Sequence, residues 1–174
     1  IKKPFFEILY FRHYHEYDTY FQFEDSDQGL LRYREDEFIN EKGAVSNIRY
    51  RLTHIGVARE KDFPSGALLS RSRFIAPATH SRRFYREYFT PSDETFIEKD
   101  RLRWRIIFQD TTFYINLDRM DQPDIGTFLE VKSRTWTRRD AESKAEMIGT
   151  LLETLGVSTD EIVTEDYVAL LDQN

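Results

Sequence analysis

Basic residues recur at two-residue spacing along this chain, as Arg32/Arg34, Arg49/Arg51, Arg71/Arg73, the run Lys99/Arg101/Arg103/Arg105, and Lys132/Arg134. On a β-strand, residues two apart project from the same face. Each pair therefore sets like charges side by side, which is unfavourable unless something anionic lies between them. A sheet made of such strands must either leave that face in water or enclose it with compensating charge. For one pair alone, a solvated surface balanced by nearby Glu and Asp is the simpler reading. All the pairs together favour a shared anion.

The whole chain is acidic, with a formal net charge of -6. Nucleic-acid coats usually carry a broad basic surface, so the charge argues against that class and for clustered cations. Arginine predominates over lysine, and its planar fork suits bidentate phosphate recognition. There is no cysteine, which rules out disulfides and thiolate metal sites and fits a reducing compartment. No apolar run reaches membrane-spanning length and no signal peptide is visible, so we expect a cytoplasmic protein without a membrane partner. A length of 174 residues suits one domain over 1–174. The start at Ile1 rather than Met suggests a processed form or a piece of a longer protein.

The aromatic-rich segment from Phe5 to Glu24 reads as one or two strands. Its Tyr14, Glu16, Asp18 and Tyr20 share one face, and His15, Tyr17, Thr19 and Phe21 the other. DSDQG (25–29) and NEKGA (40–44) have turn chemistry. Strands are expected from Leu30, over Asn47–Ile55, from Leu68, and over Leu102–Gln109, Thr112–Arg119 and Thr127–Thr135. Phe84, Tyr85, Tyr88 and Phe89 fall at helical spacing within 80–89. Thr137 can cap a helix to about Leu155 that buries Ala141, Met147, Ile148, Leu151, Leu152 and Leu155. Ser158 and Glu161 form a capping box for a last helix through Leu170. These elements predict an α+β fold, a largely antiparallel sheet with helices outside it.

Carboxylates on the same strands are candidate ligands for a divalent metal, with Asp118 and Glu130 ahead of Glu16, Asp18, Glu35 and Glu37; the alternative for each is a salt-bridge partner. His13 and His15 alternate on a strand, but a zinc site would need ligands the sequence does not supply. No phosphate-cradling glycine loop and no nucleophile elbow is present.

The stretch FYINLDRMDQPDIGTFLEVK (113–132) resembles the late signature of the CYTH, or triphosphate tunnel metalloenzyme, superfamily, through Leu117, Asp118, Gly126, Phe128 and Glu130. YDTYF from Tyr17, LLRYRED from Leu30, RLTHIG from Arg51, SRSRF from Ser70, KDRLRWR from Lys99 and the closing EDYVALL resemble further family segments, in the family's order. The family's opening strand, with alternating glutamates and a lysine, has no match here, and its late Glu-x-Glu reads Glu130-Val131-Lys132. His54 stands where a tunnel lysine is usual.

The resemblance, which extends to class IV adenylate cyclases and thiamine triphosphatases, implies an eight-stranded antiparallel barrel or tunnel with flanking helices. Its walls would bind phosphates through Arg32, Arg34, Arg51, Arg71, Arg73, Lys99, Arg101, Arg103 and Lys132, with acidic residues mostly outside. Glu130 would be catalytic and, with Asp118, would hold Mg²⁺ or Mn²⁺. The implied function is metal-dependent hydrolysis of inorganic, nucleoside or thiamine triphosphate. The alternatives are an adenylate cyclase or a non-catalytic module that binds polyphosphate or a nucleotide. The only nucleic-acid partner expected is an RNA 5′-triphosphate end. The unmatched opening strand leaves two expectations, an upstream strand or fused domain, or a member without two-carboxylate metal chemistry.

Overall fold

Alternation along long strands dictates the architecture. The computed structural model describes residues 5–57, 63–69 and 71–172, without the side chains of 71–73 and 172. It contains β1 (Glu7–Gln22), β2 (Leu30–Ile39), β3 (Val45–Gly56), β4 (Arg71–Pro77), α1 (Arg82–Phe89), β5 (Asp93–Phe108), β6 (Thr111–Gln122), β7 (Gly126–Lys132), α2 (Arg138–Thr154) and α3 (Tyr167–Asp172). The strands form a single antiparallel sheet in the order β4-β3-β2-β1-β5-β6-β7.

The α+β class is as expected, but the described residues contain seven strands rather than eight. Among the described residues β4 and β7 are the two sheet edges, and no ladder joins them. A barrel closes only when its last strand hydrogen-bonds to its first, so the sheet formed by the described residues is open. β5 also starts earlier than expected, at Asp93. Its first half is rich in Glu, Asp and Lys, a poor strand signal, but it pairs along nearly the whole length of β1.

Both faces are covered, by different means. On one, Ile106, Phe108, Phe113 and Ile115 pack under Leu151, Met147 and Ile148 of α2. On the same face Phe21, Leu31 and Tyr33 pack against Tyr85 of α1. Leu155, expected to be buried, is 38% exposed because it lies beyond the last α2 turn over the sheet.

The opposite face carries the charges and receives α3. Val168 and Tyr167 pack with Tyr20, Ile97, Met120, Leu30, Ile55 and Phe128, which come from β1, β5, β6, β2, β3 and β7. A flat sheet holds neighbouring strands about 4.8 Å apart, so strands this distant in order meet one short helix only if the sheet curls around it. The last helix therefore sits within the charged face rather than outside the sheet. The Ser158/Glu161 capping box forms as expected but heads only the 3₁₀ turn Thr159–Glu161.

Leu151 is fully buried where α2 meets the sheet. Leu151→Ala should lower unfolding stability by about 2–5 kcal/mol in urea titrations, the usual cost of a truncated core leucine.

Candidate anion-binding site

The strand register gathers the charges. Asp18 pairs with Arg34, Glu16 with Asp36, Arg34 with Arg51 and Asp36 with Arg49. On the other side of β1, Glu16 pairs with Lys99 and Tyr14 with Arg101, and Arg101 pairs in turn with Asp118. Alternation puts Arg103, Arg105, Asn116, Glu130 and Lys132 on this face as well.

At its centre is a buried ionic lattice. Arg34 donates from Nε to Asp18 Oδ1 at 2.5 Å and lies 2.9 Å from Glu16 through Nη1. Lys99 Nζ is 3.0 Å from Asp18 and 3.5 Å from Glu16. Arg101 donates to Asp118 through Nε at 2.6 Å and also through Nη2, and reaches Glu16 at 3.1 Å and Glu130 at 3.2 Å. Glu16, Asp18, Asp36 and Asp118 have no solvent exposure. Burial would push Glu16 above its usual 4.5, but Arg101, Arg34 and Lys99 hold it far below. Asp18 is likewise held well below its usual range against burial, chiefly by Arg34 and Lys99. Five carboxylates, Glu16, Asp18, Asp36, Asp118 and Glu130, thus share this face with the cations, and the like-signed cross-strand pairs Glu16/Asp36 and Arg34/Arg51 are each offset by neighbours of opposite sign.

The expected metal ligands do not fit a dication. Asp118 accepts from Arg101 and, at 2.7 Å, from the Tyr167 hydroxyl. Glu130 is 2.6 Å from Lys132 Nζ and accepts from Asn116 Nδ2 at 2.8 Å and from Arg101 at 3.2 Å. Mg²⁺ requires lone pairs in near-octahedral geometry, and these are aimed at N–H and O–H donors. Among the described residues no three His, Asp or Glu side chains group as a metal site. His13 and His15 lie on the other face, beside Asp100 at 2.7 Å and Glu98 at 3.1 Å.

The remaining cations are not neutralised in the same way. Arg12, Arg103 and Arg105 have no carboxylate partner among the described residues; Arg103 donates to Asn116 Oδ1 at 2.8 Å and stacks over Tyr14. Arg51 shares Asp36 with Arg49. Burial lowers Arg51 from its ordinary value, Asp36 opposes this, and Arg34 and Arg49 reinforce it. Three neighbouring donors, Arg32 Nε, Arg51 Nε and Thr53 Oγ1, are buried without a hydrogen-bond partner among the described residues, and so is Arg105 Nε further along. Arg32 and Thr53 are cross-strand partners, and Arg51 is two residues from Thr53 on the same face. For Arg32, the nearest carboxylate is Asp18 at 3.9 Å, beyond hydrogen-bonding range.

The expected phosphate ligands therefore fall into three groups. Arg34, Lys99 and Arg101 are locked in the lattice. Arg32, Arg51, Arg103 and Lys132 share its face with donors to spare or with solvent access, Lys132 being half exposed. Arg71 and Arg73 lie in β4, but their side chains are outside the described residues. Sequence reasoning missed Asp36, Thr53 and Tyr167, and left Arg105 of the basic run out of the phosphate ligands. Asp36 was readable in principle, since it continues the Arg32/Arg34 alternation; Tyr167 was not, because only the docking of α3 brings it to Asp118.

Known structures share this fold. The chain is similar to the PH1819 protein of Pyrococcus horikoshii OT3 (TM-score 0.68, 19% identity, covering 98% of this chain and 89% of that one). It is also similar to the conserved hypothetical protein Pfu-838710-001 from Pyrococcus furiosus (0.56, 14%, 95% and 86%) and to PH1012 of Pyrococcus horikoshii OT3 (0.55, 14%, 95% and 85%). At these identities the likeness concerns fold alone. No protein-family model and no curated protein matches the chain. No helix among the described residues is long and apolar enough to cross a membrane.

The depressed Glu16 and Asp18 set the acid response. A carboxylate depressed on folding contributes stability above its unfolded value, near 4.5 for Glu and 3.8 for Asp, and loses it as pH falls toward the folded value. Urea-unfolding stability should therefore drop steeply below about pH 4.5. Asp18→Asn should cost about 3–5 kcal/mol at neutral pH by leaving the buried Arg34 and Lys99 to share Glu16, and should flatten the acid limb.

Proposed function

We propose that this protein binds the polyphosphate portion of a triphosphate compound on the charged face of its sheet. The observation that carries the reading is the trio of buried donors, Arg32 Nε, Arg51 Nε and Thr53 Oγ1, on the same face as cations that no carboxylate among the described residues satisfies. A buried donor without an acceptor costs about 1–3 kcal/mol, more when charged, and an oxyanion with several acceptor oxygens removes that cost. Arg12, Arg103, Arg105 and half-exposed Lys132 extend the positive field away from the end that α3 covers. The motif order from Tyr17 to Glu130 supports membership of the CYTH, or triphosphate tunnel metalloenzyme, superfamily, and the curl of the sheet around α3 supports a tunnel-like enclosure.

Binding is the reading the geometry favours over metal-dependent hydrolysis or cyclisation. With Asp118 and Glu130 engaged by Arg101, Tyr167, Asn116 and Lys132, neither is placed to hold an ion or activate water.

Calorimetric titration with inorganic tripolyphosphate should show saturable binding that weakens as salt rises. Arg51→Gln should weaken it about ten- to a hundredfold, as expected for loss of a charge-assisted hydrogen bond of about 1.5–3 kcal/mol. The exposed Arg119→Gln should leave it unchanged. Arg101→Gln should chiefly destabilise the fold, because it leaves buried Asp118 without a cation and removes one of the three that Glu16 shares. Absence of binding by the wild type would refute the proposal, and phosphate release from tripolyphosphate with Mg²⁺ or Mn²⁺ would favour the hydrolase instead.

A further inference from the structure

On the face of the sheet opposite the ionic lattice, a groove of about 700 Å³ runs between the strands and the segment that leads into α1. That volume lies within the range of small-molecule sites, about 300–1,000 Å³. Tyr17, Tyr33, Tyr50 and Phe96 form its walls, and Glu35 and Glu37 project into it from β2. Neither glutamate has a salt-bridge partner among the described residues, in contrast to the neutralised carboxylates on the other face. Arg82 is the groove's own cation; it bonds the Thr19 hydroxyl at 3.4 Å and draws Glu35 downward from a distance. Burial and then Glu37 raise Glu35 overall, against the Tyr50 hydrogen bond and Arg82, so negative charge there is left wanting a counter-ion. Glu98 and Asp121 add to the field, since both join Glu37 and Glu35, after burial, in raising Tyr17.

Aromatic faces and unpaired carboxylates attract organic cations by complementary means. The ring quadrupole draws an ammonium within about 6 Å, and the carboxylate adds a charged hydrogen bond. Glu35 and Glu37 are two residues apart on one strand, which sets their backbones about 6.8 Å apart along the groove. Two ammonium groups joined by a short alkyl chain match that spacing, with the methylenes against the tyrosine rings. A compact hydrated dication offers the rings nothing. We propose that this groove is a binding site for an aliphatic polyamine, separate from the anion-binding face and facing away from it.

The probe is spermidine, titrated calorimetrically into the full chain at physiological ionic strength, with Mg²⁺ and a tetra-arginine peptide as comparison ligands. The expected result is saturable one-to-one binding that is at least tenfold weaker in Glu35→Gln/Glu37→Gln and unchanged in Arg51→Gln. Ring resonances of Tyr17 and Tyr50 should shift on addition of spermidine. Phe96→Ser removes an exposed wall rather than a charge and should weaken binding severalfold, which keeps the test open if the double variant folds poorly. Absence of saturation, equal competition by Mg²⁺, preference for the peptide, or a double variant that binds as the wild type does would each overturn the proposal. Because Arg51 lies on the other face, failure here leaves the polyphosphate reading intact, and the reverse also holds.

Discussion

The structure depends on the pairing of buried carboxylates with buried guanidinium groups across β2, β1, β5 and β6. Like charges spaced two apart on one strand repel, and burying them would be prohibitive in isolation. Register solves this by placing Asp18 opposite Arg34 and Asp118 opposite Arg101. Glu16 is shared by Arg34, Lys99 and Arg101, so the two halves of the lattice are joined through one carboxylate on the central strand. A one-residue slip of any strand would turn its whole charged set to the other face, so the lattice fixes register as firmly as an apolar core does.

The lattice also sorts the cations by role. Those at its centre are spent on folding, and those around it retain donors that nothing in the described chain accepts. Tyr167 ties α3 to the system by donating to Asp118 and packing its ring near Lys99 Nζ at 5.1 Å. One end of the charged face is thereby covered by apolar packing, while the end with Arg12, Arg103 and Arg105 keeps its surplus charge. Burial beneath a helix and surplus charge on one sheet face together favour an anion with several oxygens over an extended strand of nucleic acid. The opposite face has the inverse character, with aromatic walls and two glutamates that have no salt-bridge partner among the described residues.

Much of this was legible in the sequence. The face assignment along β1 follows from alternation, the helix at 82–89 from apolar spacing, and the helix at 138–154 from apolar spacing and the Thr137 cap. The pairs Arg32/Arg34 and Arg49/Arg51 and the run Lys99/Arg101/Arg103/Arg105 do share a single face. What was hidden was their counter-ions, because Asp36 and Glu16 acquire partners only once strand register is known. The strand count and closure were also unreadable, since they depend on which edges meet. Lys99 and Arg101 illustrate the limit most clearly: as sequence they look like free cations, and in the fold both are ion-paired to buried carboxylates.

The most direct test of this division is the response of individual arginine Nε–H groups to polyphosphate. In a ¹H–¹⁵N spectrum resolved for arginine side chains, tripolyphosphate should shift the Nε–H signals of Arg32 and Arg51 strongly. Those of Arg34 and Arg101, already bonded to Asp18 and Asp118, should stay nearly fixed. Equal shifts in all four, or movement of Arg34 and Arg101 alone, would contradict the account.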